Sequence, residues 1–149
     1  MNVFRPLRLV VVPSDPISAY EKKGLDWMER YYNPGGMFDE VWAVSPMESG
    51  QRTAYGMTIK GVRVREFKRT IREIRPDLVR AYGGYWPADV TCYCRLRDVP
   101  VVVSIHDTSP ELVHRSVRYA DTVICVSKAV ARVAEAAGVS SSLVSRYFP

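Results

Sequence analysis

The sequence predicts an α/β protein, a three-layer sandwich with a mostly parallel central sheet between helices. Two observations support this fold class. Short apolar runs rich in β-branched residues recur at residues 78–82, 99–105 and 121–126, and each ends abruptly in small or polar residues. Segments with helical periodicity follow these runs, and this alternation is typical of parallel sheets that are covered on both faces.

The first half of the chain adds strands that are less regularly interleaved with helices. We expect strands at residues 7–13, 38–44 and 58–67, helices at residues 17–32 and 68–75, and a mobile loop at residues 45–57. The first helix is most regular from Gly24 on, which places Lys22, Lys23 and Gly24 at its start. Free backbone N–H groups and positive side chains would favour an anion there, and a solvated basic turn is an equally good interpretation.

Strands and helices alternate more clearly in the second half of the chain. Besides the three runs above, we expect helices at residues 86–96, 108–119 and 128–137, and the beginning of a further strand at residues 145–148. The second of these helices has a strong start signal in Thr108, Pro110 and Glu111, and Ser127 is expected to cap the third.

Length and composition fit one globular domain. The chain has 149 residues, of which 47% are hydrophobic and 25% charged, enough for a sizeable core. No apolar run approaches the ~20 residues of a membrane-spanning helix, and the N-terminus lacks the apolar region of a signal peptide. Three cysteines without a secretion signal indicate reduced thiols in a cytoplasmic protein. Cys92 and Cys94 fall on different helix faces, so we expect no shared metal.

The net charge of +5 is compatible with several anionic partners and with solubility alone. Nucleic acid is not expected, because the basic residues are dispersed and not interleaved with aromatic ones. The helix at residues 68–75 has a basic face that could contact an anionic membrane, or simply be solvated while the helix covers the sheet. The turn after the first strand lacks the glycine-rich signatures of dinucleotide and nucleotide-phosphate loops.

Candidate functional residues follow from the topology. In parallel sheets the ligand crevice lies at the carboxyl ends of the strands, and here those ends carry Tyr82-Gly83-Gly84, His106-Asp107 and Ser127-Lys128. His106 could donate a hydrogen bond to a substrate hydroxyl, or could merely cap the following helix. Asp107 is expected to hold the turn, and His114 to lie on a solvated helix face.

Three segments in this order resemble the N-terminal domain of family 4 (group 1) glycosyltransferases of the GT-B fold. Residues 75–83 read RPDLVRAYG, residues 99–107 read VPVVVSIHD and residues 120–127 read ADTVICVS. The resemblance implies a Rossmann-like domain and a retaining transfer of a sugar from a nucleotide-sugar to a glycan, lipid-linked or small-molecule acceptor. It implies no catalytic metal and no cofactor, since the nucleotide-sugar is a substrate.

The resemblance also assigns residues. His106 matches the active-site histidine of the family. The positions matched to acceptor or donor-phosphate binding are Lys23, Gly24, Tyr82, Gly83, Gly84, Asp107 and Ser127. The chain departs from the family pattern at Lys23 and Gly24, which stand where paired glycines are usual.

The family continues beyond the point that corresponds to Pro149 with a hinge and a second domain, which would hold the nucleotide-sugar. Residues 1–149 are therefore expected to be the acceptor-side domain, inactive by itself, with its own C-terminal domain as a partner. We expect the protein to be cytoplasmic, with possible peripheral contact with the inner face of the membrane. The alternative is a stand-alone module that binds a sugar or a protein partner and catalyses nothing.

Overall fold

A computed structural model of the protein describes residues 4–146. It contains one sheet of eight strands, in the order β3-β4-β2-β1-β5-β6-β7-β8. The strands are β1 (Arg8–Val12), β2 (Glu40–Ser45), β3 (Gln51–Ala54), β4 (Met57–Gly61), β5 (Leu78–Tyr82), β6 (Val101–Ile105), β7 (Thr122–Cys125) and β8 (Val144–Arg146). All neighbours pair in parallel except β3 and β4, which are antiparallel. The α/β, mostly parallel fold class is confirmed.

Helices cover the sheet unevenly. They are α1 (Ile17–Lys22), α2 (Met28–Tyr32), α3 (Phe67–Ile74), α4 (Trp86–Tyr93) and α5 (Lys128–Ala136). Residues of α3, α4 and α5 pack with the apolar side chains on one face of the strands, whereas residues of α1 and α2 pack on the other face around β1, β2 and β4. None of these helices, in the part of the chain that the structure describes, is long and apolar enough to cross a membrane.

Strand order reverses beside β1. The chain runs from β1 to β2 and β4 on one side, then returns to place β5 on the other side of β1. Such a reversal opens a crevice at the carboxyl ends of the strands.

The segment predicted as a mobile loop at residues 45–57 instead contains β3, which forms a hairpin with β4. The two turn residues, Tyr55 and Gly56, have φ values of 52° and 68°, as type I′ hairpin turns require. The prediction was wrong because a tyrosine stands at a turn position that usually carries Asn, Asp or Gly. The predicted strand at residues 58–67 ends early, at Gly61, and a 3₁₀ turn (Val64–Glu66) leads into α3.

The predicted helix at residues 108–119 is also wrong. Two 3₁₀ turns, Pro110–Leu112 and Arg115–Tyr119, replace it. Between them the chain is extended, because Val113 bridges to Gly84 and the His114 N–H donates to the Gly84 carbonyl at 2.7 Å. These tertiary contacts override the helix start signal of Thr108, Pro110 and Glu111.

The same contacts change the environment of His114. Its Nδ1 lies 2.8 Å from Asp89 Oδ2 of α4, and Ser116 donates to the other carboxylate oxygen of Asp89 at 2.6 Å. His114 therefore helps to fasten the segment to α4 and is not on a helix.

The predicted helix at residues 17–32 is interrupted. α1 ends at Lys22, and α2 begins at Met28. Gly24 has a φ of 65°, and its N–H donates to the Glu21 carbonyl at 3.0 Å. Lys22, Lys23 and Gly24 thus lie at the end of a helix, and the N–H groups expected to be free there are bonded.

The last helix agrees with its prediction. Ser127 is the N-cap of α5, and its hydroxyl accepts a hydrogen bond from the Val130 N–H at 3.2 Å. The strand expected to begin at residue 145 is β8, and the rest of its predicted extent, residues 147–148, lies outside the described residues.

Candidate functional site

An open cleft of about 680 Å³ lies on the α2 side of the sheet, next to the carboxyl ends of β6 and β7. This volume is within the usual range for small-molecule sites. The residues that line it are Arg30, Tyr31, Pro34, Arg80, His106, Ile124, Val126 and Ser145.

The cleft exists because this face of β7 is only partly covered. Val123 and Cys125 are fully buried among the residues of the α3–α5 side, whereas Ile124, from the alternate set, is half-buried and lines the cleft. A strand with a helix layer on both faces would bury both sets.

His106 directly follows β6 and is solvent-exposed at the cleft. Its pKa is lowered from the ordinary value of 6.5, mainly because surrounding protein atoms displace part of the water around the ring. The charge of Arg80 lowers the pKa further, and the carboxylate of Asp107 opposes both effects. The imidazole is therefore neutral at pH 7, with one nitrogen that donates and one that accepts.

Arg80 extends from the middle of β5 towards the same edge. Its Nε donates to Ser104 Oγ at 2.9 Å, and its guanidinium carbon lies 4.8 Å from the centre of the Tyr82 ring. Arg80 lines the cleft, and its charge lowers the pKa of both Tyr31 and His106. Its guanidinium therefore lies near both of these side chains.

Tyr82, at the end of β5, belongs to an aromatic cluster behind the cleft. Its ring centre lies 5.4 Å from that of Tyr31 and 4.9 Å from that of Tyr32. Tyr82 is only 5% exposed, and among the described residues its hydroxyl has no hydrogen-bond partner. Burial raises the pKa of this phenol, so it stays protonated.

Gly83 and Gly84 are buried and have clear structural roles. Gly83 has a φ of 125°, and its N–H donates to the Ser104 carbonyl at 2.8 Å. A Cβ on Gly84 would lie 3.0 Å from the Leu112 carbonyl oxygen. Their predicted part in phosphate or acceptor binding stays a prediction.

Asp107 and Ser127 lie at the same edge, after β6 and β7. Asp107 is half-buried and acts electrostatically on His106. The hydroxyl of Ser127 is engaged in the cap of α5. The structure thus brings Tyr82, His106 and Asp107 to one edge through the pairing of β5 with β6.

Lys23 and Gly24 are not part of the cleft lining. Gly24 lines a separate depression with Glu21, Asp26 and Tyr55, among others. The helix start that made this segment a candidate anion site is absent. Phosphate binding by Lys23 and Gly24 remains a prediction from the resemblance alone.

Of the described residues that line the cleft, the sequence interpretation named only His106, and Arg30, Tyr31 and Arg80 are among those it missed. Arg80 had a detectable signal, since a charged residue in the middle of a short apolar strand indicates that one face of that strand is open. Arg30 and Tyr31 had none, because their place depends on where α2 packs.

Metal-binding groups do not cluster. Within residues 4–146, no three His, Cys, Asp or Glu side chains are placed to hold a metal ion together. Cys92 and Cys125 are buried, and burial raises the pKa of Cys92 to about 11, so that its thiol is protonated at neutral pH.

Comparisons with known proteins agree with this architecture. The family model named Glycosyltransferase Family 4 matches residues 10–145. A comparison with curated proteins gave no match.

Several solved structures share the fold. They include Anabaena Alr3699/HepE in complex with UDP (18% identity, TM-score 0.60), which matches 95% of this chain and 43% of its own. UDP-N-acetylglucosamine 2-epimerase from Rickettsia bellii (12% identity, TM-score 0.64) matches 95% of this chain and 44% of its own. The match to the lipopolysaccharide outer core galactosyltransferase WaaB in its apo form (12% identity, TM-score 0.56) covers 93% of this chain and 44% of the WaaB chain. The chain therefore spans less than half the length of these proteins.

Proposed function

Because this chain belongs to Glycosyltransferase Family 4, we propose that it is the acceptor-side domain of a retaining glycosyltransferase. The reaction is transfer of a sugar from a nucleotide-sugar to a glycan, lipid-linked or small-molecule acceptor. The observation that carries this proposal is the cleft beside the carboxyl ends of β6 and β7, with the exposed His106 on its lining.

The protonation state of His106 suits such a reaction. A neutral imidazole can donate a hydrogen bond to a sugar hydroxyl, or to negative charge that develops as the bond to the leaving phosphate breaks. Burial lowers the pKa of His106 most, and Asp107 and Arg80 then shift it in opposite directions, so both side chains adjust the pH at which the ring becomes charged.

The nucleotide-sugar is assigned mainly to a further domain. This chain covers only 43% of the Alr3699/HepE chain, which was solved in complex with UDP and with UDP-glucose. We propose that the donor is held by a further part of the full gene product, which would correspond to the part of Alr3699/HepE that this chain does not match. Residues 1–149 alone would then transfer no sugar.

The experiment compares the full product of the gene with the chain of residues 1–149, using UDP-glucose as the first donor probe and a panel of acceptors. We expect product only from the longer protein, with the anomeric configuration of the donor retained, as read by the proton coupling of the new glycosidic bond in NMR. Product from residues 1–149 alone, or an inverted anomer, would contradict the proposal. A gene product that ends at Pro149 and binds a sugar without transfer would support the stand-alone module instead.

A cytoplasmic location with peripheral membrane contact is a subordinate part of the proposal. Lys68 and Arg72 of α3 are exposed, but Arg69 between them lies 3.5 Å from Glu66 and 3.9 Å from Glu73. These carboxylates reduce the positive charge of the face. Co-sedimentation with anionic vesicles tests the contact, and a Lys68→Gln/Arg72→Gln variant that sediments as well as the unmodified protein would contradict it.

A further inference from the structure

The cleft carries positive charge that the described part of the chain does not neutralise. Arg30 and Arg80 both line it, and no Asp or Glu is among the lining residues. Within residues 4–146, no carboxylate oxygen lies within 4 Å of either guanidinium, whereas five other arginines have such a partner: Arg5, Arg8, Arg52, Arg69 and Arg95.

Arg80 differs most from the other arginines of similar burial. Four arginines in the described range are half-buried. Three of them pair with a carboxylate, Arg8 at 2.7 Å, and Arg52 and Arg95 at 2.5 Å. Only Arg80 does not, although a partly desolvated cation is costly unless it is paired.

The geometry of Arg80 leaves its outer edge available. Its Nε–H is used by Ser104, and the face of its guanidinium lies near the Tyr82 ring. The four terminal N–H donors have no partner among the described residues, and such a fork matches the two oxygens of a carboxylate.

The aromatic and apolar side chains that line the cleft suit a sugar ring. Tyr31 lines the cleft and is 39% exposed. Its ring packs edge-on with Trp27, with centres 5.6 Å apart, and lies with its centre 5.4 Å from that of Tyr82. Ile124 and Val126 add apolar surface. A flat aromatic face beside a charged fork can hold a sugar ring that carries an acidic group.

Phosphate is the competing ligand chemistry, and three of the backbone N–H groups near this edge are not available to it. Diphosphate sites generally use several free backbone N–H groups at a helix start or a turn. At this edge the N–H groups of Gly83 and His114 are already bonded to backbone carbonyls, and Val130 N–H is bonded to Ser127.

We propose that the cleft binds an acidic saccharide, with Arg80 and Arg30 on its carboxylate and Tyr31 against its ring. This inference deepens the proposed function and rests on it, since it names the acceptor class of the same site. The acceptor would then carry a uronic-acid-type residue near the position that receives the transferred sugar.

The test is an NMR titration of the isotope-labelled chain with D-glucuronate, with D-glucose as the neutral match and UDP as the diphosphate probe. We expect glucuronate to shift the Arg80 Nε, Ser104 and His106 signals with saturation, and glucose to bind at least fivefold more weakly. Equal binding of the two sugars would overturn the inference. So would UDP that competes with glucuronate at Arg80, since the cleft would then recognise a diphosphate.

Variants separate charge recognition from folding. Arg80→Gln should weaken glucuronate binding about tenfold or more, as expected for the loss of a charge-assisted hydrogen-bond pair. Arg30→Gln changes an exposed side chain and should also weaken binding, even if Arg80→Gln fails to fold. Arg69→Gln, on α3, is the control and should bind normally. Unchanged binding in Arg30→Gln and in a folded Arg80→Gln variant would overturn the proposal.

The two proposals can fail separately. Glucuronate binding without any transfer by the full gene product would leave this inference standing and reject the proposed function. Transfer only to neutral acceptors, with no glucuronate binding, would reject this inference and leave the proposed function standing.

Discussion

The two faces of strands β5–β7 differ in polarity and in how far they are covered. On the α3–α5 side the strand residues are apolar and buried, as in Val79, Val103 and Val123. On the other side the next residues along the same strands are Arg80, Ser104 and Ile124, and the first and last of these line the cleft. One face holds the fold together, and the other is partly open at the cleft.

This difference could have been found in the sequence. A parallel strand that is buried on both faces is apolar throughout, whereas residues 78–82 read LVRAY and residues 101–106 read VVVSIH. The polar residues Arg80, Ser104 and His106 interrupt these runs, and Arg80 and His106 line the cleft while Ser104 accepts a hydrogen bond from Arg80 Nε.

The first prediction tests the comparison through stability, with an isoleucine on each face. Ile105 is fully buried, and Ile124 is half-buried at the cleft. Ile105→Ala should lower the free energy of unfolding by roughly 2–5 kcal/mol, the usual cost of a cavity at a buried site. Ile124→Ala should cost less than half as much. Urea unfolding measures both, and equal losses would show that the two faces are equally buried.

Ser127 provides a second, smaller test on the covered side of the carboxyl edge. Ser127→Ala should lower the free energy of unfolding by about 1 kcal/mol, since α5 loses its N-cap. Ser127→Asp should restore most of this, because a carboxylate can accept the same bond from the Val130 N–H. Equal stability of Ser127→Ala and Ser127→Asp would mean that the cap contributes little to the free energy of unfolding.

The smallest effect concerns the electrostatics of the open face. Removing the charge of Arg80 in Arg80→Gln should raise the pKa of His106, and Asp107→Asn should lower it, because these are the directions in which the two groups act. An NMR titration of the His106 ring protons measures both shifts. If Arg80→Gln left the pKa unchanged, the guanidinium would not lie near the ring.

Linkage gives the same histidine a signature in stability. The folded-state pKa is below the ordinary 6.5, so the unfolded chain takes up the proton first as the pH falls. Stability should therefore be lost on acidification below about pH 6.5 and be unaffected by His106 above it. His106→Gln should lose less stability between pH 7.5 and 5 than the unmodified protein, as judged from urea midpoints, and an equal loss would contradict the lowered pKa.

Sequence patterns predicted most of the sheet and less of its connections. The strands β5, β6 and β7 and the cap of α5 were predictable, because apolar runs and Ser127 act locally. The β3–β4 hairpin was missed because its turn carries Tyr55, and residues 108–119 were misassigned because contacts of Val113 and His114 with Gly84 are tertiary.

The candidate site was predictable only in part. His106 follows from its place at the end of a strand. Arg30 and Tyr31 do not, since they come from α2, whose position against the sheet no local pattern specifies.

We propose that the open face at the carboxyl edge, and His106 in particular, is where the sugar transfer occurs. The most direct measurement is the turnover of the full gene product with His106→Ala, beside His114→Ala as a matched control. His114 is exposed and bonded to Asp89, and it does not line the cleft. We expect turnover to fall by on the order of a hundredfold in His106→Ala, with an unchanged melting temperature, and to stay near normal in His114→Ala. Near-normal turnover in a folded His106→Ala variant would contradict a catalytic role of His106.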